Sequence, residues 1–145
     1  MVDFSHLERQ KVSDADTTIY ELFDIDMPGA SLTVAPATRS NKPYNAALIK
    51  KTLPMQRRMA GGKMSAEFLE KYRDDLKPPY ANHVIKGWDK VVDAKGKPVE
   101  FTKENALAFL VALPNQSFDA LVGFCEDDTN FRDTDTDVEE LVKNS

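Results

Sequence analysis

With 145 residues, 41% hydrophobic and 30% charged, the chain has the size and composition of one globular domain with or without tails, and its eight Phe, four Tyr and one Trp exclude wholesale disorder. A net charge of −5 argues against nonspecific nucleic-acid binding, and the single cysteine, Cys125, excludes an intramolecular disulfide and fits a reducing compartment. The N-terminus carries Asp3 and no apolar stretch, unlike a secretory signal, and the longest apolar run, Ala106–Leu113, is too short to cross a bilayer; the expectation is a soluble cytosolic protein.

Residues 1–16 carry only scattered apolar side chains and read as a flexible arm. Thr17–Ile25 is rich in β-branched and aromatic residues, as a strand requires. Pro28-Gly29 is the pair favoured at the centre of a type II turn. Leu32 and Val34 then alternate with Ser31, Thr33 and Ala35, so a second strand completes a hairpin that Pro36 ends.

Ser40 or Asn41 can cap a helix with Pro43 in its first turn, with Tyr44, Ala47 and Leu48 on one face and Pro54 ending or kinking it. Gly61-Gly62 reads as a loop and Ser65 as the next cap. Phe68, Leu69, Tyr72 and Leu76 keep helical spacing until Pro78-Pro79 stops that helix. Over 80–88, Tyr80, Val84, Ile85 and Trp88 fit a helical stripe, while Val84-Ile85 also suits a strand; the preferred reading is a short helix ending at Gly87.

Val91–Phe101 reads as a second small hairpin turning over Asp93–Gly96. Thr102 caps a helix whose body, 106–113, is apolar nearly all round, which predicts a central position in the core, and Pro114 closes it. Ser117 caps a further helix with Phe118, Leu121, Val122 and Cys125 on one stripe, and Val138, Leu141 and Val142 can form a short terminal one. The fold class expected is α+β: a short N-terminal β-hairpin followed by a mainly α-helical body, with a second small hairpin near residues 90–101. The division expected is an arm over 1–16, a single domain over 17–131 and an acidic tail over 132–145.

Charge is segregated along the chain. Residues 27–66 contain no Asp or Glu; Arg39–Arg73 holds nine Lys/Arg against Glu67 and Glu70, and from Asp119 onward nine acids face Arg132 and Lys143. Complementary patches of this kind steer self-association or are solvated faces attracted to each other. No nucleic-acid motif or aromatic platform accompanies the basic stretch.

Motifs for chemistry fail one by one. Gly61-Gly-Lys-Met-Ser lacks the phosphate-loop arrangement, because Met64 separates Lys63 from Ser65 and Arg57 stands where the first glycine belongs. Asp127-Asp-Thr-Asn and Asp133-Thr-Asp-Thr-Asp place oxygens at alternate positions, but Val138 and Asn144 replace the glycine and glutamate that a calcium loop needs. His6 and His83 have no metal-ligand spacing. Cys125 on an apolar stripe reads as a buried, inert thiol, and Asp74 and Asp75, adjacent on a helix, point apart. No residue is assigned to catalysis, to a metal or to a cofactor, and the chain is expected not to be an enzyme.

Candidate partner contacts are Tyr44, Met55, Arg57, Arg58, Met59, Met64 and Trp88. The methionines can adapt to varied partners or fill core gaps. Trp88 reads first as an anchor against the Val91/Val99 hairpin, and Tyr44 and Phe131 as core side chains.

Two segments carry a family resemblance. Gly87–Ala106 has a tryptophan, a short Asp93–Gly96 turn, Pro98-Val99, then Phe101-Thr102 opening the C-terminal helices, which reach Asn130-Phe131. Leu32–Asn45 runs from strand to helix. Both are similar to tail assembly chaperones of long-tailed bacteriophages. The resemblance implies a late, non-enzymatic protein of the host cytoplasm that binds the tape-measure protein, helps recruit tail-tube subunits and is absent from the mature virion. A structural virion component, such as a head–tail connector or tail accessory protein, is the second expectation, and a nucleic-acid-associated regulator using the 39–73 stretch is the third.

Overall fold

A computed structural model describes residues 2–8, 10–59 and 66–132, with the backbone alone over 55–59. In chain order the elements are α1 (Ser5–Glu8), β1 (Thr18–Glu21), β2 (Ser31–Val34), α2 (Lys42–Met59), α3 (Ala66–His83), β3 (Ile85–Asp89), α4 (Lys103–Ala112), α5 (Asn115–Cys125) and a 3-10 helix, Asp128–Phe131. The fold is α+β: a three-stranded antiparallel sheet, order β1-β2-β3, against a helical body.

The first hairpin forms as its residues dictate. Gly29 has φ 75°, the left-handed conformation that a type II turn demands at that position, and the Ala30 amide closes the turn onto the Met27 carbonyl at 3.0 Å. Period-two alternation then sorts the side chains. Tyr20, Leu32 and Trp88 share one row on the inward face, and Val34 and Ile85 pair in the next. Tyr20 packs on Phe124 of α5, and Trp88 on Phe109 of α4. The outward face carries Ile19–Thr33–Gly87 and Glu21–Ser31–Asp89, and no described helix covers it.

The preferred helix over 80–88 is wrong in its second half. α3 runs to His83, and Ile85–Asp89 is strand β3. The spacing of Tyr80 and Val84 is helical because the Val84 amide still donates to the Tyr80 carbonyl at 3.0 Å. From there the Val84 carbonyl accepts the Ala35 amide at 2.8 Å, and pairing to β2 takes over. One extra residue, Lys86, is accommodated between the Val34–Ile85 and Thr33–Gly87 pairs as a bulge.

Pro78-Pro79 do not stop α3 where the sequence places the stop, and Pro54 does not end α2. Pro54 lies inside α2, and Pro78 and Pro79 inside α3. Each lacks an amide donor and costs about 3 kcal/mol in a helix interior. In α3 the cost is met by burial: Leu76, Pro79, Tyr80 and Ala81 are all in the core. Lys77 is also buried, its ammonium 5.4 Å above the Phe118 ring and 3.1 Å from Asp74 Oδ1.

The C-terminal helices follow their caps with two corrections. Thr102 Oγ1 accepts the Asn105 amide at 3.0 Å, as a cap should. But α4 is not central: it buries Ala106 and Leu110 against α3 and leaves Val111 62% exposed. Ser117 is not a cap either. α5 starts at Asn115, and the Ser117 hydroxyl, inside the helix, donates to Asp24 Oδ2 at 2.7 Å. The expected stripe of Phe118, Leu121 and Cys125 is fully buried. The second hairpin also forms, through a Val92–Pro98 bridge with Gly96 at φ 78°. Its turn is held by Asp93 Oδ1, which accepts the Lys95 and Lys97 amides.

Within the segment expected as an arm, Ser5–Glu8 make one exposed helical turn and Val12 packs against the core. The Gly61-Gly62 loop, the Ser65 cap and all of the acidic tail but Arg132 lie outside the described residues.

Asn41 ties these parts together. It is fully buried, its Nδ2 donates to the Pro36 and His83 carbonyls at 2.9 Å each, and its Oδ1 accepts the Tyr44 amide at 3.2 Å. Asn41→Ala removes three hydrogen bonds and strands their partners in the core. We expect a loss of about 3 kcal/mol or more, measured as a lower urea midpoint at unchanged slope. A loss below about 1 kcal/mol contradicts this role.

Candidate interaction surface

The aromatic residues singled out in the sequence are spent on the core. Tyr44 sits in the first turn of α2, 2% exposed, its ring edge-on to Tyr80 at 5.4 Å. Burial, followed by the neighbouring Tyr72 and Glu126, pushes its phenol well above the ordinary range. Trp88 is half-buried, donates from Nε1 to the Val99 carbonyl at 2.8 Å and meets Phe101 edge-on at 5.1 Å. That is the anchor on the small hairpin expected of it. Phe131 is buried against Phe124. The side chains of Met55, Arg57, Arg58 and Met59, and all of Met64, lie outside the described residues.

The polar groups of possible chemical use have structural partners. Asp127 accepts the Thr129 amide at 3.0 Å and the Thr129 hydroxyl at 2.6 Å, capping the 3-10 helix. Asp128 accepts the hydroxyls of Thr38 at 2.6 Å and Ser40 at 2.8 Å, fastening the β2–α2 loop to the C-terminal end. Asp74 pairs with Lys77. His83 is half-buried, and burial, then Lys103 and Lys86, hold its imidazole below the usual range. Among the described residues no three His, Cys, Asp or Glu side chains are grouped to hold a metal.

Opposite charges meet in one bidentate pair: Arg73 Nε and Nη2 each donate to Asp119 at 2.8 Å. That contact joins the basic stretch to the start of the acidic one. The hydrogen bonds from Arg73 hold the Asp119 carboxyl below its usual range. The pair is largely solvated, so its stabilisation is small. It is present above the ordinary carboxylate pKa and lost as the pH falls through the depressed folded value.

Beyond the N-terminal segment and Val111, exposed apolar side chains of the described residues fall on two surfaces. The first is on α2. Its inward ridge is Tyr44, Leu48 and Thr52, and Ile49 and Leu53, one position further round, stand 53% and 44% exposed. Exposed Lys42, Lys50 and Lys51 flank them, and α2 contains no acidic residue. Leu69 on the partner helix α3 is also exposed. The second surface is the β1 margin of the sheet, where Ile19 and Phe23 are exposed beside a concavity of about 330 Å³ lined by Ile19, Tyr20, Glu21, Phe23 and Phe124. Neither surface is among the partner contacts expected from the sequence. The signal on α2 was available: apolar residues at 44, 48, 49 and 53 span more of the helix than one neighbour can bury.

Cys125 tests how closed the core is. Its side chain is fully buried, its carbonyl accepts the Ala37 amide at 2.8 Å, and burial pushes its thiol far above the ordinary range. We expect no reaction with an aromatic disulfide reagent at pH 8 until denaturant unfolds the chain. Stoichiometric labelling of the native protein within seconds contradicts that burial.

No described helix is long and apolar enough to cross a membrane. No curated protein and no solved structure matches the chain. The family model described as YdaY prophage protein matches residues 39–144, from the β2–α2 loop through α2, α3, β3, α4, α5 and the 3-10 helix. Since the match spans most of the sequence, the chain belongs to the YdaY prophage protein family and is phage-derived.

Proposed function

We propose that this prophage-family protein is a non-enzymatic tail assembly chaperone, which binds the tape-measure protein in the host cytoplasm, helps recruit tail-tube subunits and leaves before the virion is complete. The observation that carries the reading is the exposed Ile49–Leu53 ridge on the basic helix α2, with Leu69 exposed on α3. A tape-measure protein is long and helical, and an amphipathic helix binds by laying its apolar stripe against such a ridge. The flanking lysines favour a client with acidic residues beside that stripe.

Two further features support the reading. The segment that resembles tail chaperones, Gly87–Ala106, folds as one unit: β3, the small hairpin and the capped start of α4, joined through Trp88 and Thr102. Asp74, Asp127, Asp128, His83 and Cys125 sit in structural settings instead of converging on a cleft.

The test is co-expression with the tape-measure protein of the same genome, together with mass spectrometry of purified virions. The reading requires the chain to keep the tape measure soluble and to be missing from virions. Stoichiometric presence in virions without tape-measure binding makes it a structural component instead. Within the pull-down, Ile49→Ser combined with Leu53→Ser should cut recovered tape measure by about tenfold, the equivalent of ~1.4 kcal/mol. Because both side chains are largely solvated, stability should fall by no more than about 1 kcal/mol. Undiminished recovery with the double variant removes α2 as the client surface.

A further inference from the structure

β1 lies at one edge of the three-stranded sheet. Among the described residues β1 pairs only with β2. The Leu22 amide donates to the Ala30 carbonyl at 3.0 Å, and antiparallel alternation then turns the backbone groups of Thr18 and Tyr20 toward β2 and those of Ile19 and Glu21 outward. Ile19 and Glu21 therefore present unpaired N–H and C=O groups to solvent, a template for another strand. β1 carries neither proline nor lysine, two residues that blunt such edges.

The side chains around this edge define what can be added. The concavity beside the edge is lined by Ile19, Tyr20, Glu21, Phe23 and Phe124, and on its inward side the Tyr20 and Phe124 rings lie 5.1 Å apart. A side chain laid against those two rings meets apolar surface. On the outward side it meets Ile19 and Phe23, both exposed, with Glu21 between them. The long stem of a lysine or arginine covers such apolar surface while its charged end reaches the carboxylate.

The wider field has the same sign. Asp14, Asp16, Glu21, Asp24 and Asp26 occur with no Lys or Arg between Lys11 and Arg39. Ser13 and Ser117 already bond Asp16 and Asp24, and Lys90 reaches the turn at Gly29. Glu21 has no partner among the described residues. The chain's own C-terminal segment does not suit this edge, since residues 133–145 hold five acids and one lysine. A second copy adding its own β1 would bring the same five carboxylates to the seam.

We propose that the β1 edge binds an extended segment of another protein in which apolar and basic residues alternate, added as a fourth strand with apolar side chains in the Tyr20–Phe124 concavity and basic ones on Glu21. The edge is separate from the α2 ridge, and β1 itself precedes residue 39, where the family match begins. Loss of tape-measure binding and loss of strand binding are therefore independent results.

The probe is a capped, fluorescently labelled peptide, Lys-Val-Lys-Leu-Lys-Val-Lys, titrated with the full chain and followed by anisotropy. Controls are the same peptide with glutamate for lysine, and a peptide of the same composition with the alternation broken. The lysine peptide should bind about tenfold or more tightly than either control, and severalfold more weakly at high salt. Ile19→Pro removes the outward amide without touching the β1–β2 ladder and should weaken binding by about tenfold at a nearly unchanged melting temperature. Glu21→Lys should invert the preference in favour of the glutamate peptide, and it decides the matter if the proline variant does not fold. Equal binding of the three peptides, no binding at all, or wild-type behaviour of both variants overturns the proposal. So does a dimer of the chain, seen by sedimentation, that Ile19→Pro dissociates.

Discussion

The buried side chain of Asn41 holds the fold's main junction. Three chain segments arrive at one place: the exit of β2 at Pro36, the start of α2, and the end of α3 at His83. Each arrives with a backbone polar group that the core would otherwise leave unpaired, and unpaired groups in an apolar interior cost about 1–3 kcal/mol each. One amide side chain has the two donors and the acceptor that those three groups require. Capping α2 and ending α3 are therefore the same event. The position of β3 follows, because α3 hands directly to it through Val84. The same end of the molecule is fastened twice more, by Asp128 to Thr38 and Ser40 and by the Cys125 carbonyl to Ala37.

That junction leaves the sheet with one committed face and one open face. The inward row of Tyr20, Leu32 and Trp88 is covered by α5 and α4. The outward rows are short or polar side chains apart from Ile19, with Phe23 just beyond them. Polar side chains that could have suggested chemistry serve as caps and cross-links. The surface then offers two apolar patches of opposite electrostatic setting, basic on α2 and acidic at β1. A protein that must hold one partner while meeting another has use for two such surfaces, and opposite signs keep their partners distinct.

Local chemistry was legible in the sequence wherever one residue decides the geometry. The Pro28-Gly29 and Asp93–Gly96 turns, the Thr102 cap, the stripe from Phe118 to Cys125 and the anchoring of Trp88 all follow from short-range rules, as does the α+β class. Rules that compare a local cost with a distant gain were not legible. Pro78 and Pro79 break an isolated helix, but the burial of Leu76, Tyr80 and Ala81 against other elements outweighs them. Tyr80 and Val84 kept a helical interval although the next residues pair with β2, because the change of period falls at Val84 itself. The run from Ala106 to Leu113 looked central because composition does not show how few neighbours α4 has, and Val111 is left in solvent. Ser117 has a capping side chain, yet its partner is Asp24 in a distant loop. The site was less legible than the fold: Tyr44 and Trp88 attract attention by residue type, whereas the exposure of Ile19, Phe23, Ile49 and Leu53 is a tertiary property.

The central claim is that the chain works by covering its exposed apolar ridge on α2 with a protein client. Hydrogen–deuterium exchange of the chain, free and co-purified with the tape-measure protein, tests it most directly. The account predicts slower exchange over 46–54 in the complex, with the amides around Leu110 and Leu121 unchanged because they are already in the core. Unchanged exchange over 46–54, with protection confined to α4 or the small hairpin, would contradict it.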